Sequence, residues 1–222
     1  MSINTNELMS EFRSLRPTHL CSLMTKYGSD KATKHNYSKL YHLLFDDLRD
    51  RVATVFELGI GSVNPKQPSN MGRSGSPGGS LRVWRDYFIN ALILAADIDI
   101  KTLFHEPPIH AFYCDQTSPR SVQALWTEII DFYGGIVALD IMIEDGLHTF
   151  EANTCFFENS FYMVAPGGYY IEDLTSQTAN KLREKIETDY RQRFPQFEFH
   201  VFDLPGTRAK DNRLFVAKHK YF

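Results

Sequence analysis

The sequence predicts a doubly wound α/β fold: a mostly parallel, seven-stranded sheet with helices on both faces, an antiparallel last strand and an N-terminal helical cap. Two observations predict it. From residue 52 onward short apolar runs alternate with longer helical stretches, the pattern of parallel strands joined by crossover helices. The last two runs, residues 198–202 and 214–217, have no helix between them and close the sheet as an antiparallel edge.

Taken in order, residues 5–15 form a weakly amphipathic run, and Pro17 suits the first turn of a second short helix. A basic, glycine-interrupted segment follows, Lys26-Tyr-Gly-Ser-Asp-Lys31. Tyr37, Leu40, Tyr41, Leu44, Phe45 and Leu48 then recur at helical spacing. Residues 1–50 read as a helical cap and residues 51–222 as the main α/β domain. The cap's Leu and Tyr positions look exposed, available for a homo-oligomer contact or for closing over a ligand.

The first strand, residues 52–58, ends in Gly59-Ile-Gly61. Residues 62–79 make an eighteen-residue connection rich in Gly, Pro and Ser; loops of that length are usually functional or mobile. Ser80 is placed to cap a helix over 81–88. Strands over 92–96 and 109–113 end at Asp97 and near Asp115. Ser118-Pro119 starts a helix to about residue 133. A fourth strand, 136–143, ends at Glu144-Asp145-Gly146, and a helix over 151–164 stops at Pro166-Gly167-Gly168. A fifth strand from residue 169 ends at Glu172-Asp173, followed by a helix over 175–193.

Composition narrows the function. The 222 residues are 43% apolar and 23% charged, which excludes a disordered tail, a collagen-like fibre and a coiled-coil rod. A net charge of −3 lacks the positive surplus that phosphate backbones require, so nucleic acid is not an expected partner. No run approaches the ~20 apolar residues of a membrane-spanning helix, and no membrane partner is expected. The polar, acid-bearing N-terminus resembles neither a signal nor a transit peptide. Cys21, Cys114 and Cys155 are odd in number and widely spaced, which fits free thiols and a cytoplasmic location.

In an open α/β sheet, ligands sit beyond the carboxyl ends of the strands, near the switch in strand order. In this chain acids gather at those ends. Glu57 before Gly59 and Gly61 repels a pyrophosphate and suits a cationic amine. Asp97 is placed to accept two ribose hydroxyls, with Asp99 as the competing acid. Asp115-Gln116 is placed for an adenine amino group. Converging Glu144, Asp145, Glu172 and Asp173 raise one another's pKa unless a cation neutralises them. Oxygen ligands favour a hard divalent ion such as Mg²⁺. His148, three residues after Asp145, would sit beside that ion as a general base. No Gly-x-Ser-x-Gly elbow is present, against a common hydrolase.

Four segments now resemble a known family: Lys26–Lys31 with Tyr37, residues 78–88, Glu144-Asp-Gly-Leu-His148, and residues 166–174. With Glu57-Leu-Gly-Ile-Gly61 they resemble class I S-adenosylmethionine-dependent methyltransferases, and specifically the metal-dependent sugar O-methyltransferases of the macrocin/mycinamicin type. The resemblance covers roughly residues 20–175 and implies a Rossmann-like methyltransferase fold. It implies that Glu57, Gly59, Gly61, Ser80, Asp97, Asp115, Gln116 and Tyr37 serve the cofactor, S-adenosyl-L-methionine. Asp145, Glu172 and Asp173 would bind Mg²⁺, with His148 and Asp145 as the catalytic pair. The expected acceptor is a sugar or glycoconjugate hydroxyl, whose vicinal oxygens chelate the metal. The family usually has Ser where this chain has Leu147. A catechol-like acceptor, a catalytically silent scaffold and another nucleotide-binding α/β enzyme are the competing readings.

Overall fold

The computed structural model describes residues 2–209 and 211–221. Among them, one sheet is built from β1 (Thr54–Leu58), β2 (Leu92–Asp97), β3 (His105–Glu106), β4 (Ile109–Tyr113), β5 (Leu139–Glu144), β6 (Val164–Asp173), β7 (Phe197–Asp203) and β8 (Arg213–His219). The strand order is β3-β4-β2-β1-β5-β6-β8-β7. Pairs from β4 through β6 are parallel, and β8 runs antiparallel between β6 and β7. The seven expected strands are present. The eighth, β3, is two residues long and antiparallel to β4, too short for any periodicity to reveal.

Alternating side chains on each strand divide the core in two. Val55, Ile93, Ile141 and Ile171 face α1 (Thr5–Ser14), α2 (His19–Lys26), α3 (Tyr37–Phe45) and α4 (Gly79–Tyr87). Phe56, Leu94, Met142 and Tyr170 face α5 (Pro119–Tyr133), α6 (Phe150–Glu158) and α7 (Ser176–Lys185). Each large side chain sealed in this way contributes about 1.5–3 kcal/mol of burial free energy. Helix starts follow local chemistry: the Thr149 and Thr175 side chains accept hydrogen bonds from the backbone N–H of Ala152 and Thr178.

Three expectations change. The cap residues Tyr37, Leu40, Tyr41, Leu44 and Phe45 are buried in the same core as the sheet, so they are not an exposed oligomer contact. β6 begins at Val164 and runs through Pro166-Gly167-Gly168, which had been expected to be a helix stop. The β5–β6 register shifts between Leu139 and Ile141. Gly168 allows this irregularity, because a Cβ there would lie 2.8 Å from the Asp140 carbonyl oxygen. Lastly, Ile136 is 87% exposed and lies outside β5.

The chain builds outward from β1 through β2 to β4, then crosses back to place β5 on the other side of β1. That reversal opens a crevice between the carboxyl ends of β1 and β5.

Candidate active site

At the crevice the backbone turns tightly. Gly59 has φ +92°, and a Cβ there would fall 2.2 Å from the Asp145 carbonyl oxygen. Only glycine fits where the two strand ends approach. Two cavities meet at this point. Gly59, Gly61, Ser69 and Asp145 line both.

The smaller cavity, about 200 Å³, is walled by Leu58, Asp97, Ile98, Asp115, Gln116 and Leu147. Asp97 Oδ2 accepts the backbone N–H of Ile60 (2.8 Å) and Gly61 (3.2 Å), so this acid shapes the glycine turn. Burial pushes its carboxyl above the usual range despite those bonds. Asp99 accepts from Ser62 Oγ at 2.5 Å and is absent from the wall, so Asp97 is the acid that faces the cavity. Asp115 Oδ1 is held by the Thr117 N–H and hydroxyl. The Gln116 amide is engaged at both ends, donating to Glu144 and accepting from the Leu147 N–H.

The larger cavity, about 520 Å³, holds the titratable cluster. Ligand atoms of Asp145, His148 and Asp173 lie within 4.8 Å of one another. His148 Nε2 is 4.0 Å from Asp145 Oδ1. The histidine backbone is left-handed, φ +57°, and its carbonyl accepts from Thr178 Oγ1 at 3.0 Å. Such a conformation in a non-glycine residue costs about 1–3 kcal/mol and marks functional positions. Burial lowers the imidazole pKa, but Asp173, Asp145 and Glu144 outweigh it and leave it above the ordinary value. Burial raises the Asp173 carboxyl to about 7, against the nearby His148.

Lys31 was not singled out as a site residue. Its ammonium is 4% exposed and reaches Asp145 Oδ2 at 2.5 Å and Glu57 Oε1 at 3.3 Å. Burial works against its charge, yet Asp145 and Glu57 prevail and keep it protonated. Asp145 also suffers burial, but Lys31 and His148 hold its carboxyl below the usual range. The signal for Lys31 was the charged, glycine-interrupted segment that ends on it.

Four of the expected site residues have partners or positions that the sequence did not indicate. Glu57 is fully buried and lines neither cavity; its cationic partner is Lys31, and it also accepts from Ser80 Oγ (2.6 Å) and from Trp84 Nε1. Ser80 lines the larger cavity, not the smaller one, with its hydroxyl committed to Glu57. The Tyr37 hydroxyl donates to Asp173 Oδ1 at 2.5 Å, behind the acid cluster and away from the smaller cavity. Glu172 follows strand alternation onto the opposite face, buried and accepting from the Tyr170 hydroxyl at 2.7 Å. It pairs in register with Glu144, which is held by Gln116, Asn153 and the Gly146 N–H. The cluster therefore consists of Asp145, His148 and Asp173.

No protein-family model matches the chain. It is 35% identical over 156 residues to the 8-demethyl-8-alpha-L-rhamnosyl tetracenomycin-C 2'-O-methyltransferase of Streptomyces olivaceus, a match covering 70% of this chain and 37% of that protein. The demethylmacrocin O-methyltransferase of Streptomyces fradiae is 35% identical, over 68% of this chain and 34% of its own. The chain is a relative of the macrocin-, mycinamicin- and tetracenomycin-type sugar O-methyltransferases. It spans about a third of the length of these relatives. The mycinamicin VI 2''-O-methyltransferase of Micromonospora griseorubida matches at 31% over 72% of this chain and 37% of its own. The MycE methyltransferase of the mycinamycin pathway, solved with Mg and SAH, superposes with a TM-score of 0.70 at 21% identity, covering 92% of this chain and 55% of that one. That likeness shows the shared fold, a Rossmann-like methyltransferase sheet.

Proposed function

We propose that this chain carries the catalytic site of an S-adenosylmethionine- and divalent-metal-dependent O-methyltransferase whose acceptor is a sugar hydroxyl. The observation that carries the reading is the juxtaposition of a small cavity, ending in Asp97 and Asp115, with a larger one holding Asp145, His148 and Asp173. Their common wall at Gly59 and Gly61 supports this reading, because molecules bound in the two cavities would lie side by side, as transfer between them requires. The relatives are named as methyltransferases of rhamnosyl tetracenomycin, macrocin and mycinamicin, in keeping with that acceptor.

The residues fit both groups. Two carboxylates with room for water and substrate oxygens suit Mg²⁺, and Asp145 and Asp173 would hold it. The ion supplies positive charge that acidifies neighbouring hydroxyls. Asp97 and Asp115 would hold the sugar and base of S-adenosylmethionine, which supplies an electrophilic methyl group. Lys31 occupies one oxygen of Asp145 and leaves Oδ1 directed toward His148. His148 would receive the proton of the acceptor's hydroxyl. Glu57, itself held by Ser80 and Trp84, braces Lys31.

Single-turnover assays of Asp145→Asn and His148→Asn test the assignment. Asparagine is expected to preserve the left-handed turn at position 148, so both variants should fold and bind S-adenosylhomocysteine normally while turnover falls by at least about 10²-fold. Full activity in either variant refutes the assignment.

A further inference from the structure

The larger cavity also says what surrounds the accepting hydroxyl; this inference rests on the methyltransferase reading above. Only Ile60, Met71 and Leu174 bring large apolar side chains to its lining, which contains no Phe, Tyr or Trp. Ile60 and Leu174 are themselves 2% and 0% exposed, so they offer little surface to a ligand. By contrast, Ser29, Ser69, Asn70, Ser74, Ser76 and Ser80 all lie on the wall. The side-chain hydroxyls of Ser69, Ser74 and Ser76 make no hydrogen bond to another described residue, which leaves them available to a ligand's hydroxyls.

Charge completes the picture. Asp30, Asp145, Asp173 and Asp211 face Lys31 and Lys34 on the same wall. With all four acids ionised and His35 and His148 neutral the formal charge is −2, which one divalent cation cancels. A cavity neutral once loaded has no preference for a phosphorylated or carboxylated acceptor.

We propose that the acceptor is a neutral saccharide with polar neighbours, such as the end of an oligosaccharide, and not a sugar carried on an apolar polyketide or aryl group. An apolar aglycone needs contact with apolar side chains to gain affinity, and Met71, 37% exposed, is the one large apolar side chain on the wall with appreciable surface to offer. Hydroxyl-rich loop residues 69–76 instead select by hydrogen bonding, where a site's polar groups reject partners that leave them unpaired.

The test uses the chain saturated with S-adenosylhomocysteine and MgCl₂. Saturation-transfer NMR compares neutral di- and trisaccharides with p-nitrophenyl glycosides of the same terminal sugars, and methyl transfer from S-adenosylmethionine is followed by mass spectrometry. The expected result is binding and methylation of at least one oligosaccharide, with less than a threefold gain from the aryl group. Joint replacement Ser74→Ala/Ser76→Ala is expected to weaken oligosaccharide binding several-fold and to leave S-adenosylhomocysteine binding unchanged. A tenfold or greater preference for the aryl glycoside overturns the proposal. So does failure of every saccharide while S-adenosylhomocysteine still binds. Loss of S-adenosylhomocysteine binding itself would strike the methyltransferase reading instead.

Discussion

Lys31 lines the larger cavity and ties together two acids near the ends of different strands. Its ammonium joins Asp145, in the larger cavity, to Glu57, two residues before the Gly59 turn. Removing one partner of a buried ion pair leaves the others uncompensated. Lys31→Met should therefore lower unfolding free energy by about 3–5 kcal/mol, as measured by denaturant titration. A change under 1 kcal/mol would mean that the pair is not buried in solution. His148 makes a second point at this scale. Its pKa is raised above the ordinary imidazole value by Asp173 and Asp145, against burial. Adding Mg²⁺ should offset those acids and move the imidazole downward, followed by NMR titration of its ring protons. An unmoved or upward-shifted titration would place the ion elsewhere.

At the level of elements, strand alternation decides the roles of adjacent acids. Glu172 and Asp173 were legible as a strand-end pair, but which face each takes depends on the β5–β6 register, itself shifted by an irregularity near Gly168. The sequence pattern around 166–168 reads as a stop, so the register was not legible. The Gly59 turn, Asp97, Asp145 and His148 were legible, because strand ends and spacing mark them directly. Lys31 and the true partner of Glu57 were not, because the contact joins segments 26 residues apart through tertiary packing alone. Glu172 yields a pH prediction. Burial and then Glu144 raise its folded-state carboxyl pKa well above the usual range. The native state therefore holds a proton longer than the unfolded chain, and stability falls as pH rises above the unfolded value, about 4.3. Glu172→Gln should leave stability unchanged near pH 4 and raise it by about 1 kcal/mol at pH 8, a Tm gain of about 2–4 °C. Equal stability of the two proteins at pH 8 contradicts the buried, proton-bearing Glu172.

On the scale of the whole molecule, the N-terminal helices are part of the architecture of the candidate site. Tyr37 on α3 donates to Asp173, and Lys31, just before it, clamps Asp145. The cap thus supplies one wall of the cavity that β5 and β6 begin. No helix among the described residues is long and apolar enough to cross a membrane. The seven-stranded methyltransferase sheet was legible from the alternation of strands and helices, whereas the buried packing of the cap was not, since its Tyr and Leu residues are equally suited to a surface contact. Asp173→Asn should reduce Mg²⁺ affinity by at least about tenfold, while Glu172→Gln leaves it within about twofold, since only the former lies in the cluster. Calorimetry with each variant separates the two outcomes, and equal losses would restore Glu172 as a ligand.

The most direct test of the central claim is calorimetric titration of the chain with S-adenosylhomocysteine, once in MgCl₂ and once in EDTA. The account predicts binding in the micromolar range in both, because Asp97, Asp115 and Leu58 on the wall of the smaller cavity lie outside the metal cluster, which reaches that cavity only through Asp145. No binding in either buffer, with the protein folded, would contradict it.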